Sequence, residues 1–308
     1  MILAMATTMA LAASGCSSDG GGGSEGVGPT TTTTAAQTTT TAAAEPIDDQ
    51  APPASINGIT IDGDTIWIAS IGADEVLQIR REDGAILQRF ATGGAAPDDV
   101  AVAPDGSVWT TGMGNGDVGR IAEGTYEVVT TIGAGINPID IADDGTVFIG
   151  TYGPDGTLYT LETDGGAPSE GVEARLVAES LPSINGFELG DDAGTVIAPA
   201  GGIAGPGSVV SIAADGEVAT IADGLPGVAA LAADPDGQLF VLANATGELF
   251  LVDREAGTAE PAQKVTEGAP FDNLAFAEDG TLYLSSFTSP SITEVAPDGT
   301  TRVIEIGG

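Results

Sequence analysis

From about Ser55 to the end of the chain, short apolar runs alternate with acidic, mostly glycine-containing turns. The runs open with Asn57-Gly-Ile-Thr-Ile, Asp98-Asp-Val-Ala-Val, Asn137-Pro-Ile-Asp-Ile, Asn185-Gly-Phe-Glu-Leu, Ala229-Ala-Leu-Ala-Ala and Asp272-Asn-Leu-Ala-Phe, and successive openings lie 39 to 48 residues apart. The seventh residue after each opening falls in a turn and is an aspartate: Asp64, Asp105, Asp144, Asp192, Asp236 and Asp279. Four of them begin an Asp-Gly pair, a strong short-range signal for a two-residue hairpin because both residues tolerate positive φ. A second apolar run follows each turn directly: Thr65–Ser70, Ser107–Thr111, Thr146–Thr151, Thr195–Ala200, Gln238–Ala243 and Thr281–Ser286.

Third runs such as Val76–Arg80 and Asp117–Ala122, and fourth runs such as Tyr126–Ile132 and Thr301–Ile306, complete each unit. No segment carries a 3.6-residue period. Four short strands per repeat, six times over, predict an all-β fold: a six-bladed β-propeller with four antiparallel strands per blade, filling residues 55–308. A two-sheet sandwich is the rival, but it gives no reason for the turn chemistry to recur every forty-odd residues. Trp67, Trp109, Phe148, Phe240 and Tyr283 are each third in their second strands, which assigns them to packing between blades. The last blade supplies its own fourth strand at Thr301–Ile306, so ring closure is expected to rest on blade packing unless residues around Glu45–Ala54 add a strand.

Ahead of the repeats the pattern stops. Residues 1–15 are apolar or small and end in Ala13-Ser14-Gly15-Cys16. This is similar to a bacterial lipoprotein signal, although no Lys or Arg precedes the apolar run. That resemblance implies cleavage before Cys16 and lipidation of its thiol. Residues 16–54 are rich in Gly, Ser, Thr, Ala and Pro with nothing to bury, and read as a disordered linker. Together they describe an exported, membrane-anchored lipoprotein on the outer side of the cytoplasmic membrane or cell surface, tethered through Cys16.

Eight basic residues against 45 acidic ones give a net charge of −37 at pH 7. Such a chain repels nucleic acid, which is excluded as a partner. Histidine is absent and Cys16 is the single cysteine, which removes Ser-His-Asp and Cys-His catalysis, histidine-ligated zinc and intramolecular disulfides. The remaining chemistry belongs to carboxylates, amides, hydroxyls and a hard metal ion. All eight basic residues fall on third or fourth strands or their turns.

Starts of first strands and ends of second strands share one face of a propeller. Asn57, Asp98, Asn137, Asn185 and Asp272 therefore ring one mouth of the central channel, with Ala229 breaking the ring. Oxygen donors without a competing ammonium favour Ca²⁺ or another hard divalent cation. The same side chains also suit capping of strand starts through backbone amides. Asp140 and Glu188 occupy equivalent places in neighbouring first strands, and read either as a second acidic layer or as groups facing water-filled space between blades.

The segment Pro97-Asp-Asp-Val-Ala-Val-Ala-Pro-Asp-Gly-Ser-Val-Trp109, continuing through Asn115-Gly-Asp-Val-Gly-Arg-Ile121, resembles six-bladed propellers of the NHL and SMP-30/gluconolactonase type. Ser183-Ile-Asn185-Gly186-Phe187-Glu188 and Asn57-Gly58 are further matches. The resemblance implies a divalent metal at this mouth and lactone hydrolysis with an aspartate, here Asp98, as metal ligand and general base. The chain departs from that pattern in two ways. No repeat opens with the family's Glu-Gly ligand, and counted in blade order Ala229 takes the place of its aspartate. A binding or sensor module, for an unassigned small molecule or surface partner, is the first reading of function. A divalent-metal-dependent lactonase or ester hydrolase is the alternative, and a tethered structural or adhesion module the third.

Overall fold

A computed structural model describes residues 46–307 apart from 191, 204, 266 and 267. The signal segment 1–15, Cys16 and linker residues 16–45 lie outside the described residues. The first blade is β1 (Ile59–Asp62), β2 (Thr65–Ser70), β3 (Glu75–Arg80) and β4 (Ile86–Ala91); the second is β5 (Pro97–Val102), β6 (Val108–Gly112), β7 (Asp117–Ala122) and β8 (Thr125–Thr131). The third is β9 (Ile136–Ile141), β10 (Val147–Thr151), β11 (Gly156–Leu161) and β14 (Arg175–Leu181), with a small hairpin, β12 (Thr163–Asp164) and β13 (Ala167–Pro168), inserted before its last strand. The fourth holds β15 (Glu188–Leu189), β16 (Val196–Ala200), β17 (Gly207–Ile212) and β18 (Val218–Leu225); the fifth β19 (Val228–Ala233), β20 (Leu239–Ala243), β21 (Glu248–Asp253) and β22 (Thr258–Lys264). The sixth is β23 (Leu274–Phe276), β24 (Leu282–Leu284), β25 (Ser291–Val295) and β26 (Thr301–Glu305). Every pairing within these sheets is antiparallel and the described residues contain no helix, so the six-bladed, four-stranded expectation holds.

The core is divided among the blade interfaces rather than gathered at the centre. Among the described residues there are six apolar clusters, and each spans one pair of neighbouring blades. Trp67 packs with Val100, Val108 and Ile121 between blades one and two, and Trp109 with Ile136 and Ile149 between two and three. Phe148 meets Val196 and Val210, while Tyr283 meets Ile66 and Ile79 where the sixth blade returns to the first. The aromatic positions serve inter-blade packing, as their recurrence in the second strands suggests.

The sixth blade completes its own sheet, so no strand is shared across the closure. Side chains and loops hold it instead. The Arg81 guanidinium donates to Asp279 and to the Tyr283 hydroxyl, both at 2.5 Å, and Arg302 donates to the Glu82 carbonyl at 2.7 Å. Gly84, at φ +75°, lies so close to β26 that an added Cβ would stand 2.3 Å from the Glu305 carbonyl oxygen. Residues 46–54, which composition placed in the linker, add no strand but run along β4. Ile47 N–H donates to the Ile86 carbonyl at 3.0 Å, and the Gln50 amide both donates to that carbonyl and accepts the Ile86 N–H at 2.9 Å.

Candidate functional site

The inner strands begin at one mouth of the channel, and the side chains there form pairs between blades. Asn57 donates to Asp272 at 3.2 Å, joining blades one and six. Asn137 donates to Asp98, joining blades two and three. The two aspartates are close enough for their charges to repel. Four of the five expected mouth residues thus meet. Asn185 stands half-buried at the equivalent place in blade four, and no hydrogen bond links its side chain to the other four. Ala229 is fully buried in the fifth position.

Hydroxyls and amides at the ends of second strands fix these openings. Thr111 donates to the Asn137 carbonyl at 2.5 Å, Ser285 to the Asn57 carbonyl, and Asn244 to the Phe271 carbonyl beside Asp272. Each bond runs from one blade to the opening of the next. The polar ends of the second-strand runs were visible in sequence, but their targets were not.

A second layer lies deeper in the channel. Asp99 accepts the N–H of Ile139 at 3.2 Å, Asp140 that of Leu189 at 3.1 Å, and Glu188 that of Ala233 at 3.1 Å. Inner strands of neighbouring blades share no sheet, so these carboxylates bond blade two to three, three to four and four to five. Asn273 adds a fourth member, donating to Asp99 at 3.1 Å across blade one. That reach needs Gly58 beneath it, where a Cβ would fall 2.5 Å from Asp99. The Asn-Gly pair therefore has a packing reason here. Of the two readings of Asp140 and Glu188, the second acidic layer is the one observed.

Strict alternation along a strand would turn one of Asp98 and Asp99 away from the channel. The β5–β6 register shifts between Pro97 and Val100, and this bulge lets one aspartate serve the mouth and the next the deeper layer. Asp99 and Asn273 were missed as site residues for this reason. Their only sequence signal is the polar doublet, Asp98-Asp99 and Asp272-Asn273.

Below the mouth lies a cavity of about 350 Å³, lined by Asp99, Asp140, Glu188 and Asn273 among apolar inner-strand residues. No basic side chain lines it. Burial pushes Asp99 up to about 7, assisted by the charges of Asp272 and Asp140 and opposed by its backbone hydrogen bonds. Burial likewise raises Glu188 to about 8, with Asp140 adding to it, and raises Asp140 and Asp272 to about 6 each. Asp98 is held well above the carboxylate range by burial first, then by the charges of Asp272 and Asp99. Five carboxylates thus share one channel; asparagine amides bond Asp98, Asp99 and Asp272, while Asp140 and Glu188 accept only backbone N–H groups.

The donor set at the mouth suits a hard cation in kind: two carboxylates and three amides, without nitrogen or sulfur ligands. Among the described residues no three Asp, Glu, Cys or His side chains converge as a ligand group. An ion here would therefore complete its shell with amide oxygens and water. Asn57, Asp98, Asn137, Asn185 and Asp272 are the residues that would hold it.

No protein-family description matches the chain, and no characterised protein matches it in sequence. Its fold is shared with several solved structures. A gluconolactonase from Xanthomonas campestris superposes with a TM-score of 0.61 at 16% identity, covering 78% of this chain and 85% of that one. Regucalcin from Agrobacterium tumefaciens, described as a calcium-binding protein, gives 0.60 at 16% identity over 77% and 84% of the two chains. Virginiamycin B lyase from Staphylococcus aureus, in a catalytically inactive form with one histidine replaced by alanine, gives 0.59 at 16% identity over 85% and 87%. At these identities the likeness shows the scaffold: a six-bladed propeller of the shape used by SMP-30/gluconolactonase-type proteins.

Proposed function

We propose that this chain is a lipid-anchored, cell-surface binding propeller whose channel mouth takes a hard divalent cation, Ca²⁺ foremost. One observation carries the reading. Asp98 and Asp272 repel each other at the mouth with amides as partners, in a channel whose inner and second strands carry no basic side chain. A divalent cation relieves that repulsion, which neither amide can do. The fold likeness to a calcium-binding regucalcin supports the same cation. The Cys16 motif and the Thr-rich linker support tethering on the outer side of the cytoplasmic membrane.

The lactonase alternative draws on the Pro97-Asp98 motif and on the gluconolactonase likeness. There the cation would supply Lewis acidity and Asp98 would accept a proton from water. The mouth offers two carboxylates where the resemblance asks for a fuller set, and Ala229 stands at the fifth position. Binding therefore takes precedence over turnover. The two readings separate on a lactone panel run with Ca²⁺, Mg²⁺ and Mn²⁺. Cation binding without hydrolysis supports the binding module. Hydrolysis that needs the cation and is lost in Asp98→Ala establishes the lactonase.

A further inference from the structure

Inner strands of all six blades line the cavity below the mouth. Its volume of about 350 Å³ lies within the ~300–1,000 Å³ typical of small-molecule sites. Ile61, Val102, Ala233 and Phe276 line it near the far ends of the first strands, and all four are only half-buried. Solvent therefore reaches the cavity from the face opposite the mouth.

The three carboxylates of the cavity are not equally satisfied. Asp99 accepts the N–H groups of Val100 and Ile139 on separate oxygens, and Asp140 does the same with Ile141 and Leu189. Glu188 gives one oxygen to the Ala233 N–H at 3.1 Å. Its other oxygen meets no donor among the described residues, and it is reached from the cavity rather than sealed in protein. The bonds to Ile139, Leu189 and Ala233 consume inner-strand N–H groups, and no basic side chain lines the space. Burial, and then the charge of Asp140, raise Glu188 to about 8. Its negative charge has no counterpart within the chain.

We propose that this cavity binds a protonated aliphatic amine, with the ammonium group on the free oxygen of Glu188. An ammonium brings positive charge and three N–H donors with no acceptor, which answers a wall with surplus acceptors. A bare metal ion fits less well, because no three carboxylates converge as a ligand group among the described residues. At the open end Ile61 and Phe276 offer apolar surface to the methylenes of such a ligand. A second cavity, of about 440 Å³, shares Asp140 and Glu188 and adds Asp143, Asp144 and Asp192, again without a basic side chain. It gives the far end of a diamine a second acidic wall, between blades three and four. The inference is independent of the cation reading, because it uses no residue of the mouth.

The test is calorimetry of the full chain with putrescine and with acetyl-lysine methylamide, at an ionic strength that screens long-range attraction to the acidic surface. The first probe stands for a free diamine and the second for a lysine side chain of a protein. At least one should bind, one molecule per chain. Glu188→Gln keeps an oxygen for the Ala233 N–H but loses the charge, so it should weaken that binding about tenfold while the chain remains folded. Asp236→Asn removes the same charge from an exposed turn and should leave binding unchanged. Absence of binding by both probes at millimolar concentration would overturn the proposal. So would equal weakening by Glu188→Gln and Asp236→Asn, the mark of bulk attraction to an acidic chain. Binding that Glu188→Gln leaves intact and Asp98→Asn abolishes would place the amine at the mouth, and would overturn it too.

Discussion

Asp140 belongs to the third blade and Leu189 to the fourth, and the carboxylate of the first receives the backbone N–H of the second at 3.1 Å. The other carboxylate oxygen accepts the N–H of Ile141 at 2.8 Å. Asp99 and Glu188 repeat the arrangement on either side. In a ring whose blades share no strand, these side chains supply polar bonds between inner strands that the sheets cannot make. The acidic layer of the channel is thus part of the architecture as well as a charge reservoir.

Asp140→Ala leaves two backbone donors without their acceptor, and is expected to destabilise the fold by about 2 kcal/mol. It also removes a charge that raises Glu188. The cost should therefore be smaller at pH 8, where Asp140 and Glu188 repel, than at pH 5. Urea unfolding at the two pH values measures both effects.

The raised carboxylates set an unusual pH dependence. Asp99, Asp140 and Glu188 have folded values of about 7, 6 and 8, above ordinary values of 3.8, 3.8 and 4.5. Between those limits the folded chain holds more protons than the unfolded one, so stability falls as pH rises from about 4 to about 8. Without divalent cation, Tm at pH 8.5 should lie below that at pH 5 by roughly 5 °C or more, at about 2–4 °C per kcal/mol for a domain of this size. A Tm that climbs from pH 5 to pH 8.5 would mean that the channel carboxylates ionise freely.

Gly58→Ala tests the crossing of Asn273 to Asp99. Its Cβ would stand 2.5 Å from the Asp99 Cα and 2.7 Å from the Asp98 carbonyl oxygen, both backbone atoms. A cost of about 2–3 kcal/mol is expected from overpacking. Gly93→Asn, at a turn position with φ +71° and open space around it, is the control and should cost far less.

The outer edge of the first blade should depend on residues that composition assigned to a linker. Gln50→Ala removes the amide that bonds Ile86 in both directions, and a loss of about 1–2 kcal/mol is expected. Thermal unfolding checks this. The Arg81–Asp279 pair, with Asp279 57% exposed, should contribute less, and its share should shrink in high salt.

The strand order, the six repeats and the inter-blade aromatics were legible because period-two patterning and acidic turns recur at similar spacing. The mouth was legible at Asn57, Asp98, Asn137 and Asp272 because each opens a repeat. The deeper layer was only half legible. Asp140 and Glu188 stood out at equivalent positions, but Asp99 and Asn273 lie beside mouth residues, where alternation turns them away. The bulge at Pro97–Val100 reverses that expectation, and a one-residue register shift leaves little trace in a short strand. The packing of Ile47 and Gln50 against β4 was hidden for another reason: a single apolar residue and one amide carry the contact, too few for a pattern.

Isothermal calorimetry with Ca²⁺ shows whether the mouth holds a divalent cation. The wild-type chain should bind one Ca²⁺, more tightly at pH 8 than at pH 5 because protons compete for Asp98 and Asp272. Asp98→Asn and Asp272→Asn should each weaken that binding about tenfold or more, while both variants remain folded. Absence of binding heat at millimolar Ca²⁺, Mg²⁺ and Mn²⁺ at pH 8 would rule out the cation site and leave the mouth residues as inter-blade bonds alone.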